Sequence, residues 1–267
     1  MKSNTSSSGI LRGSFIAIAT ACLLPSAQAQ LLANWEFNEP AGTGLTQTVD
    51  SVNGLVFNGG ITGVATNGTG QLVFGANATF PDRYTLLPAS ALTTYELSFV
   101  VNSWDSSNLD SSAAGRRMYM GFYETTNLEG TFVGEVEFRF FDDGVDLRFV
   151  GGSGASVIQS NFAPALLNQP MRFTMTVDTA ANVASLSYQI GMADPVSFLD
   201  LPLSVAASGR EINYFGITSS QNFQTLSGAP LIESITITAI PEPSTYAAIL
   251  GLAALAFLVW RRRAHRA

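Results

Sequence analysis

The residues best spaced to do chemistry are two glutamates, Glu135 and Glu137, in a segment that continues to Arg139. If this segment is a strand, alternation puts both carboxylates on one face, roughly 6.5–7 Å apart along the chain. Retaining glycosidases use two carboxyl groups about 5–5.5 Å apart, so the pair could serve as nucleophile and acid. We favour the competing interpretation, a solvated strand face on which Glu137 lies beside Arg139.

The long central part of the chain lacks three residue types on which most enzyme mechanisms rely. The sole lysine is Lys2, the sole cysteine is Cys22 and the sole histidine is His265, all close to the chain ends. Serine triads, cysteine nucleophiles, Schiff-base lysines and histidine zinc sites each need one of them. We therefore predict no catalytic residues and no enzyme, with a hydrolase that uses Glu135 and Glu137 as the alternative.

Oxygen-rich loops and aromatic side chains are the other candidates for binding. Residues 105–110 hold two aspartates and residues 142–146 hold three, and Ca²⁺ takes six to eight oxygen ligands. Both segments are also typical of turns. Calcium binding therefore remains an alternative, and we predict no metal site and no other cofactor. Aromatic residues in a β-sandwich mostly belong to the core. Trp104 instead lies beside the polar segment 105–110, so it is the ligand-binding candidate.

Short β-type runs separated by turn-forming residues fill residues 30–239. We predict strands at 31–37, 72–74, 84–87, 95–101, 118–123, 135–141, 145–150, 172–177, 184–190, 196–198, 213–218 and 231–238. Such a series predicts an all-β domain folded as an antiparallel β-sandwich. Residues 142–144, Asp-Asp-Gly, predict a hairpin turn between two of these strands.

The charge of this region excludes one class of partner. Seven basic and nineteen acidic residues lie within 30–239, which gives a formal net charge of −12. Nucleic acid binding demands a basic face that matches the phosphates. No nucleic acid partner is therefore expected.

The first 29 residues have the three parts of a secretory signal peptide. Lys2 and Arg12 give a basic start, residues 15–24 are apolar, and Ala27 and Ala29 form a small-residue cleavage site. We predict cleavage after Ala29 and export through the Sec translocon.

Residues 240–267 form a second signal. Pro241-Glu242-Pro243 precedes sixteen uncharged residues, 245–260, which would span about 24 Å as a helix. This is shorter than the roughly 30 Å hydrocarbon core of a bilayer, so the predicted transmembrane helix would have its flanking residues at the interface. A basic cluster follows and places the C-terminus in the cytoplasm by the positive-inside rule. The cluster consists of Arg261, Arg262, Arg263 and Arg266.

The Pro-Glu-Pro motif, single span and terminal arginines together resemble the PEP-CTERM sorting signal of Gram-negative bacteria. The resemblance implies processing by an exosortase, a membrane protease. It implies an inner-membrane precursor, followed by the cell surface or an extracellular polysaccharide matrix as the destination.

The region 30–239 resembles concanavalin A-like, laminin G-like jelly rolls. Its opening, Trp35-Glu36-Phe37-Asn38-Glu39, is similar to the first motif of those domains. Further similar segments are 50–54, 95–101, 172–178, 184–190 and 231–238. At 190–192 the chain departs from the Asp-Gly turn of many members. Together with the sorting signal, the resemblance predicts a surface or matrix protein that binds glycans or has a structural role.

Overall fold

Alternating apolar and polar residues build fifteen strands within the described part of the chain. The structure is a computed structural model that describes residues 29–59, 64–74, 83–103, 116–128, 131–141, 144–151, 156–162, 166, 168–204, 207–219, 231–241 and 243–264. The strands are β1 Gln30–Trp35, β2 Asn58–Gly59, β3 Val64–Thr66, β4 Leu72–Phe74, β5 Arg83–Leu86, β6 Thr94–Ser103, β7 Arg116–Tyr123, β8 Phe132–Phe141, β9 Gly144–Val150, β10 Ser156–Phe162, β11 Met171–Asp178, β12 Val183–Ile190, β13 Val196–Pro202, β14 Tyr214–Ser219 and β15 Leu231–Ile240. A short 3-10 helix covers Leu45–Gln47.

The described strands form two antiparallel sheets within one unit, Ala29–Ile240. Sheet I has the order β13-β12-β11-β6-β15-β4-β3, and β1 also pairs with β15. Sheet II has the order β10-β9-β8-β7-β14-β5-β2. The strand order brings together strands that are distant in the chain, as in a jelly roll. The predicted all-β antiparallel sandwich is confirmed.

The hairpin of β8 and β9 shows how the sequence selects the inner face of sheet II. Val136 and Phe138 of β8 are buried, and so are Val145, Leu147 and Phe149 of β9. All five belong to a single apolar core. Period-two alternation therefore leaves the intervening polar residues of both strands on the outer face.

Aromatic rings join the two sheets across this core. Phe99 of β6 and Phe173 of β11 stack in sheet I with ring centroids 5.0 Å apart. Phe138 of sheet II meets Phe173 edge-on at 5.2 Å. Such pairs add about 0.5–1.5 kcal/mol each beyond the area that they bury.

Glu96 of β6 makes the stability of sheet I depend on pH. It lies between Thr176 and Thr238 in the register, and burial raises its pKa above the ordinary value. Ionised Glu96 therefore costs stability at neutral pH, and this cost disappears once the carboxyl is protonated in both states. We expect Glu96→Gln to raise the free energy of unfolding at neutral pH by on the order of 0.5 kcal/mol, and to have no effect below about pH 4.

Denaturant titrations of the variant at both pH values measure this difference. The exposed Glu211 provides the matched control, because Glu211→Gln removes a solvated carboxylate. An equal gain at both pH values would show that burial of the charge is not the cause.

The second unit contains residues 241 and 243–264 of the described part of the chain. Its helix, α1, runs from Pro243 to Ala264 and carries Arg261, Arg262 and Arg263 in its last turn. Proline suits the first position of a helix, where its missing N–H is not needed, and the arginines complement the negative end of the helix dipole. None of the helices among the described residues is long and apolar enough to cross a bilayer. The predicted span over 245–260 stays a prediction.

Candidate functional site

The two glutamates singled out by the sequence lie on the outer face of sheet II. Glu137 is at the centre of β8, where the register places Tyr119 of β7 on one side and Arg148 of β9 on the other. Two residues further along β8, Arg117, Arg139 and Asp146 are aligned in the same way. Three adjacent strands thus gather arginines and carboxylates into one group.

Glu137 is the centre of what we call the arginine cluster: Glu137, Arg117, Arg139 and Arg148. Its Oε1 is 2.8 Å from Nε of Arg139 and 3.4 Å from Nε of Arg117, while its Oε2 is 3.2 Å from an Nη of Arg148. The Glu137 side chain is 2% exposed, against 35% for Arg117. Both carboxylate oxygens are therefore engaged by guanidinium groups that also cover them.

Glu135 is held by a different partner on the same face. It is 5% exposed, and its Oε2 accepts a hydrogen bond of 2.8 Å from the hydroxyl of Tyr123. The predicted pairing of Glu137 with Arg139 is confirmed. The expectation of a solvated face is wrong for the two glutamates, because arginine and tyrosine side chains from neighbouring strands cover the carboxylates.

Tyr119 links the arginine cluster to the rest of the face. Burial raises the pKa of its phenol, and a hydrogen bond with Arg117 opposes that shift. The negative charges of Glu137 and Glu135 raise the pKa further. The same hydrogen bond is the main cause that raises the pKa of Arg117. Tyr119 therefore remains a neutral hydroxyl that bonds to a permanent cation.

Beyond Tyr119, the buried side chains of Leu128 and Tyr123 cover the next part of the face, and a pair of tyrosines follows. Gly121 of β7 and Gly216 of β14 are opposite each other, and a Cβ on Gly216 would come within 2.6 Å of Leu128. Tyr84 and Tyr214 follow, with their rings edge-to-face at 5.8 Å. The outer face from β9 to β5 crosses five strands, about 19 Å at the usual strand spacing.

Several of the other predicted site residues fall on parts of the chain that the structure does not describe. Trp104, Ala27, Glu242 and Arg266 lie outside the described residues, as do 105–110 and 142–143. Ala29 immediately precedes β1. In the described part of the chain, no three acidic, histidine or cysteine side chains are grouped so that they could hold a metal ion.

Sequence reasoning missed Arg117 and Arg148, which come from the strands on either side of Glu137. A signal for them existed. Four of the seven arginines in residues 30–239 fall between Arg116 and Arg148. Alternation in Val145–Val150 also places Arg148 on the face of the strand away from the core residues Leu147 and Phe149.

The C-terminal region matches a known sorting motif. Residues 239–263 match the family model of the PEP-CTERM protein-sorting motif. This motif implies an exported protein whose precursor is anchored in the membrane and sorted by an exosortase. No curated protein matches this sequence.

Solved structures with similar folds have low sequence identity to this chain. The CBM2 module of Lactobacillus casei BL23 phage J-1 evolved Dit is 10% identical, with a TM-score of 0.55, over 80% of this chain and 97% of that one. An endo-1,3-beta-glucanase from Streptomyces sioyaensis is 14% identical, with a TM-score of 0.48, over 82% and 99%. Lectin II from Ulex europaeus is 12% identical, with a TM-score of 0.48, over 77% and 96%. At these identities the likeness concerns the fold alone. The chain thus combines an antiparallel β-sandwich domain with a PEP-CTERM protein-sorting motif at residues 239–263.

Proposed function

We propose that the jelly-roll domain is a non-catalytic glycan-binding module, delivered by exosortase processing to the cell surface or the extracellular polysaccharide. The outer face of sheet II is its binding surface. The observation that carries the proposal is the arrangement of this face, with carboxylates engaged by arginines at one end and a tyrosine pair at the other.

The engaged carboxylates argue against the hydrolase alternative. A retaining glycosidase needs one carboxyl group that holds a proton to donate and another that is free to attack the sugar. Three guanidinium groups surround Glu137, so its carboxyl group is not free to approach the oxygen of a glycosidic bond. Both of its oxygens are already bonded, which opposes a role as nucleophile. Glu135 accepts a hydrogen bond from the hydroxyl of Tyr123.

The same face has the chemistry that recognises sugars. Tyrosine rings offer an apolar surface with a polar hydroxyl at the rim, which suits contact with a sugar ring. Arg117, Arg139 and Arg148 are partly exposed, and guanidinium groups present several donors in a fixed plane. A ligand that contacts both the arginine cluster and the tyrosine pair must extend across several strands, and a polysaccharide chain is long enough to do so.

Binding by the tyrosine pair is the test of this proposal. The full chain, purified in detergent, is titrated with a panel of soluble polysaccharides, and released reducing ends are measured in parallel. We expect saturable binding without cleavage. Tyr84→Ala combined with Tyr214→Ala should weaken binding at least tenfold, about 1.4 kcal/mol. The control is Met192→Ala combined with Leu199→Ala, which removes two exposed side chains from the region of sheet I.

Three outcomes would overturn the proposal. Cleavage that Glu137→Gln abolishes in a folded protein would establish the hydrolase. Absence of saturable binding to every polysaccharide would leave a coat component without a ligand. Equal binding by the tyrosine variant and the control would move the binding surface elsewhere. Circular dichroism of each variant verifies that it is folded.

A further inference from the structure

A polar cleft with a volume of about 580 Å³ lies where the ends of several strands of sheet I meet. The end of β1, the end of β6, the start of β15 and the turn between β3 and β4 surround it. Its volume lies within the range of about 300–1,000 Å³ that is usual for small-molecule sites. The main lining residues are Glu36, Asn38, Gly70, Gln71, Asn102 and Glu233. This cleft is separate from the outer face of sheet II.

Glu36 is oriented by neighbouring amides, so that its carboxylate is held in place. Its Oε1 accepts from Nδ2 of Asn34 at 3.0 Å, and its Oε2 accepts from Nδ2 of Asn38 at 3.2 Å. Asn34 is fixed in turn by the hydroxyl of Thr236, which donates to its Oδ1 at 2.9 Å. Each carboxylate oxygen can accept a second hydrogen bond. Glu36 is therefore a preorganised acceptor that still has capacity for a ligand.

Another wall of the cleft is the backbone of residues 69–71, which hydrogen bonds to the side chain of Asn67 hold in place. Oδ1 of Asn67 accepts from the backbone N–H of Thr69 at 2.9 Å and of Gln71 at 3.2 Å. Gly70 has a φ of +82°, and a Cβ there would come within 3.3 Å of Oδ1 of Asn38. Glycine at this position keeps the wall close to Asn38 and leaves the cleft open to a ligand.

The charges that line the cleft determine which ligands it suits. Glu36 and Glu233 are acidic, and the described lining contains no arginine or lysine. An ionised carboxylate only accepts hydrogen bonds, so a ligand must offer donors, and an anionic ligand would be repelled. A bound cation would need more oxygens, since Ca²⁺ takes six to eight and usually from several carboxylates.

We infer that this cleft binds an amino sugar of a polysaccharide chain. The protonated amine pairs with the glutamates, and the sugar hydroxyls bond to the amides of Asn38, Gln71 and Asn102. Charged hydrogen bonds of this kind are about twice as strong as neutral ones, which gives the cleft a preference for amino sugars over their acetylated forms. The site does not depend on the proposed glycan surface of sheet II.

Calorimetry with a short glucosamine oligomer tests this site. The full chain in detergent is titrated in mildly acidic buffer, with the N-acetylated oligomer as the comparison ligand. We expect Glu36→Gln combined with Glu233→Gln to weaken binding of the glucosamine oligomer at least tenfold, about 1.4 kcal/mol. Asp194→Asn combined with Glu211→Gln removes two exposed carboxylates outside the cleft, and this control should bind like the unmodified chain.

Each other result contradicts the inference. No binding of the glucosamine oligomer, or equal binding of the acetylated oligomer, would exclude recognition of the amine. Equal loss in the control would indicate general attraction by the acidic domain. Calcium binding that is lost with the two cleft glutamates would assign the site to a cation. The variant of Tyr84 and Tyr214 separates the two proposals, because it should bind the glucosamine oligomer normally.

Discussion

Truncation of Glu137 to alanine will lower the free energy of unfolding by about 3–5 kcal/mol, because it leaves three arginines without their shared carboxylate. Arg139 and Arg148 are mostly covered, with 25% and 17% of their side chains exposed. Their guanidinium groups would lose a charged partner without regaining full hydration. Chemical denaturation of the unmodified chain and the variant, followed by far-UV circular dichroism, measures the loss.

The ion pair of Glu124 and Arg210 provides the matched control. Glu124 is 39% exposed and its Oε2 is 3.8 Å from Nε of Arg210. Exposed pairs contribute about 0–1 kcal/mol, so Glu124→Ala should have a small effect. Similar losses for Glu124→Ala and Glu137→Ala would show that the arginine cluster has no special role in stability. A second variant, Glu137→Gln, keeps the volume and should fall between alanine and the unmodified chain.

Replacement of Trp35 by alanine will cost about 3–5 kcal/mol, the usual loss for a large aromatic side chain in a core. Trp35 is 1% exposed. Its ring lies 4.9 Å from Phe57 and 5.9 Å from Phe215, centroid to centroid. Trp35 is on β1 of sheet I and Phe215 is on β14 of sheet II, so the ring helps to join the two layers.

Phenylalanine at position 35 distinguishes ring packing from hydrogen bonding. Nε1 of Trp35 is buried and has no hydrogen-bond partner among the described residues, and an unpaired buried polar group costs about 1–3 kcal/mol. Trp35→Phe removes that cost and keeps an aromatic ring, so it should destabilise much less than Trp35→Ala. Circular dichroism is the measurement, since both variants remove one of the three tryptophans that give the fluorescence signal. Equal losses in the two variants would indicate that the indole N–H contributes to stability.

Most strands could be predicted from the sequence, because a long strand shows the alternation of apolar and polar residues within its own segment. Alternation in β8 and β9 locates both strands and their inner faces without tertiary information. Three described strands were missed. β2 consists of Asn58 and Gly59, a dipeptide typical of turns, and it is a strand only because it pairs with β5. β3 has three residues, and β10 has the weakly patterned sequence Ser-Val-Ile-Gln-Ser-Asn-Phe.

The candidate site was less predictable, because it depends on strand register. The neighbours Glu137 and Arg139 are two residues apart on one strand, and the sequence alone pairs them. Arg148 reaches Glu137 from the adjacent strand, and a shift of one residue in register would turn it to the other face. The cleft is harder still, since Glu36 and Glu233 are almost two hundred residues apart in the chain.

The pairing of the first strand with the last sets an order for events during export. Gln30 lies opposite Ala239, and among the described strands β1 pairs with β15 alone. On the export route that the sequence predicts, β1 emerges first and has no partner strand until β15 follows, at the end of the domain. Contacts between such distant residues also form late in folding. Under the predicted cleavage after Ala29, the signal peptide would be removed while Gln30 is still unpaired, before β1 and β15 close the sandwich.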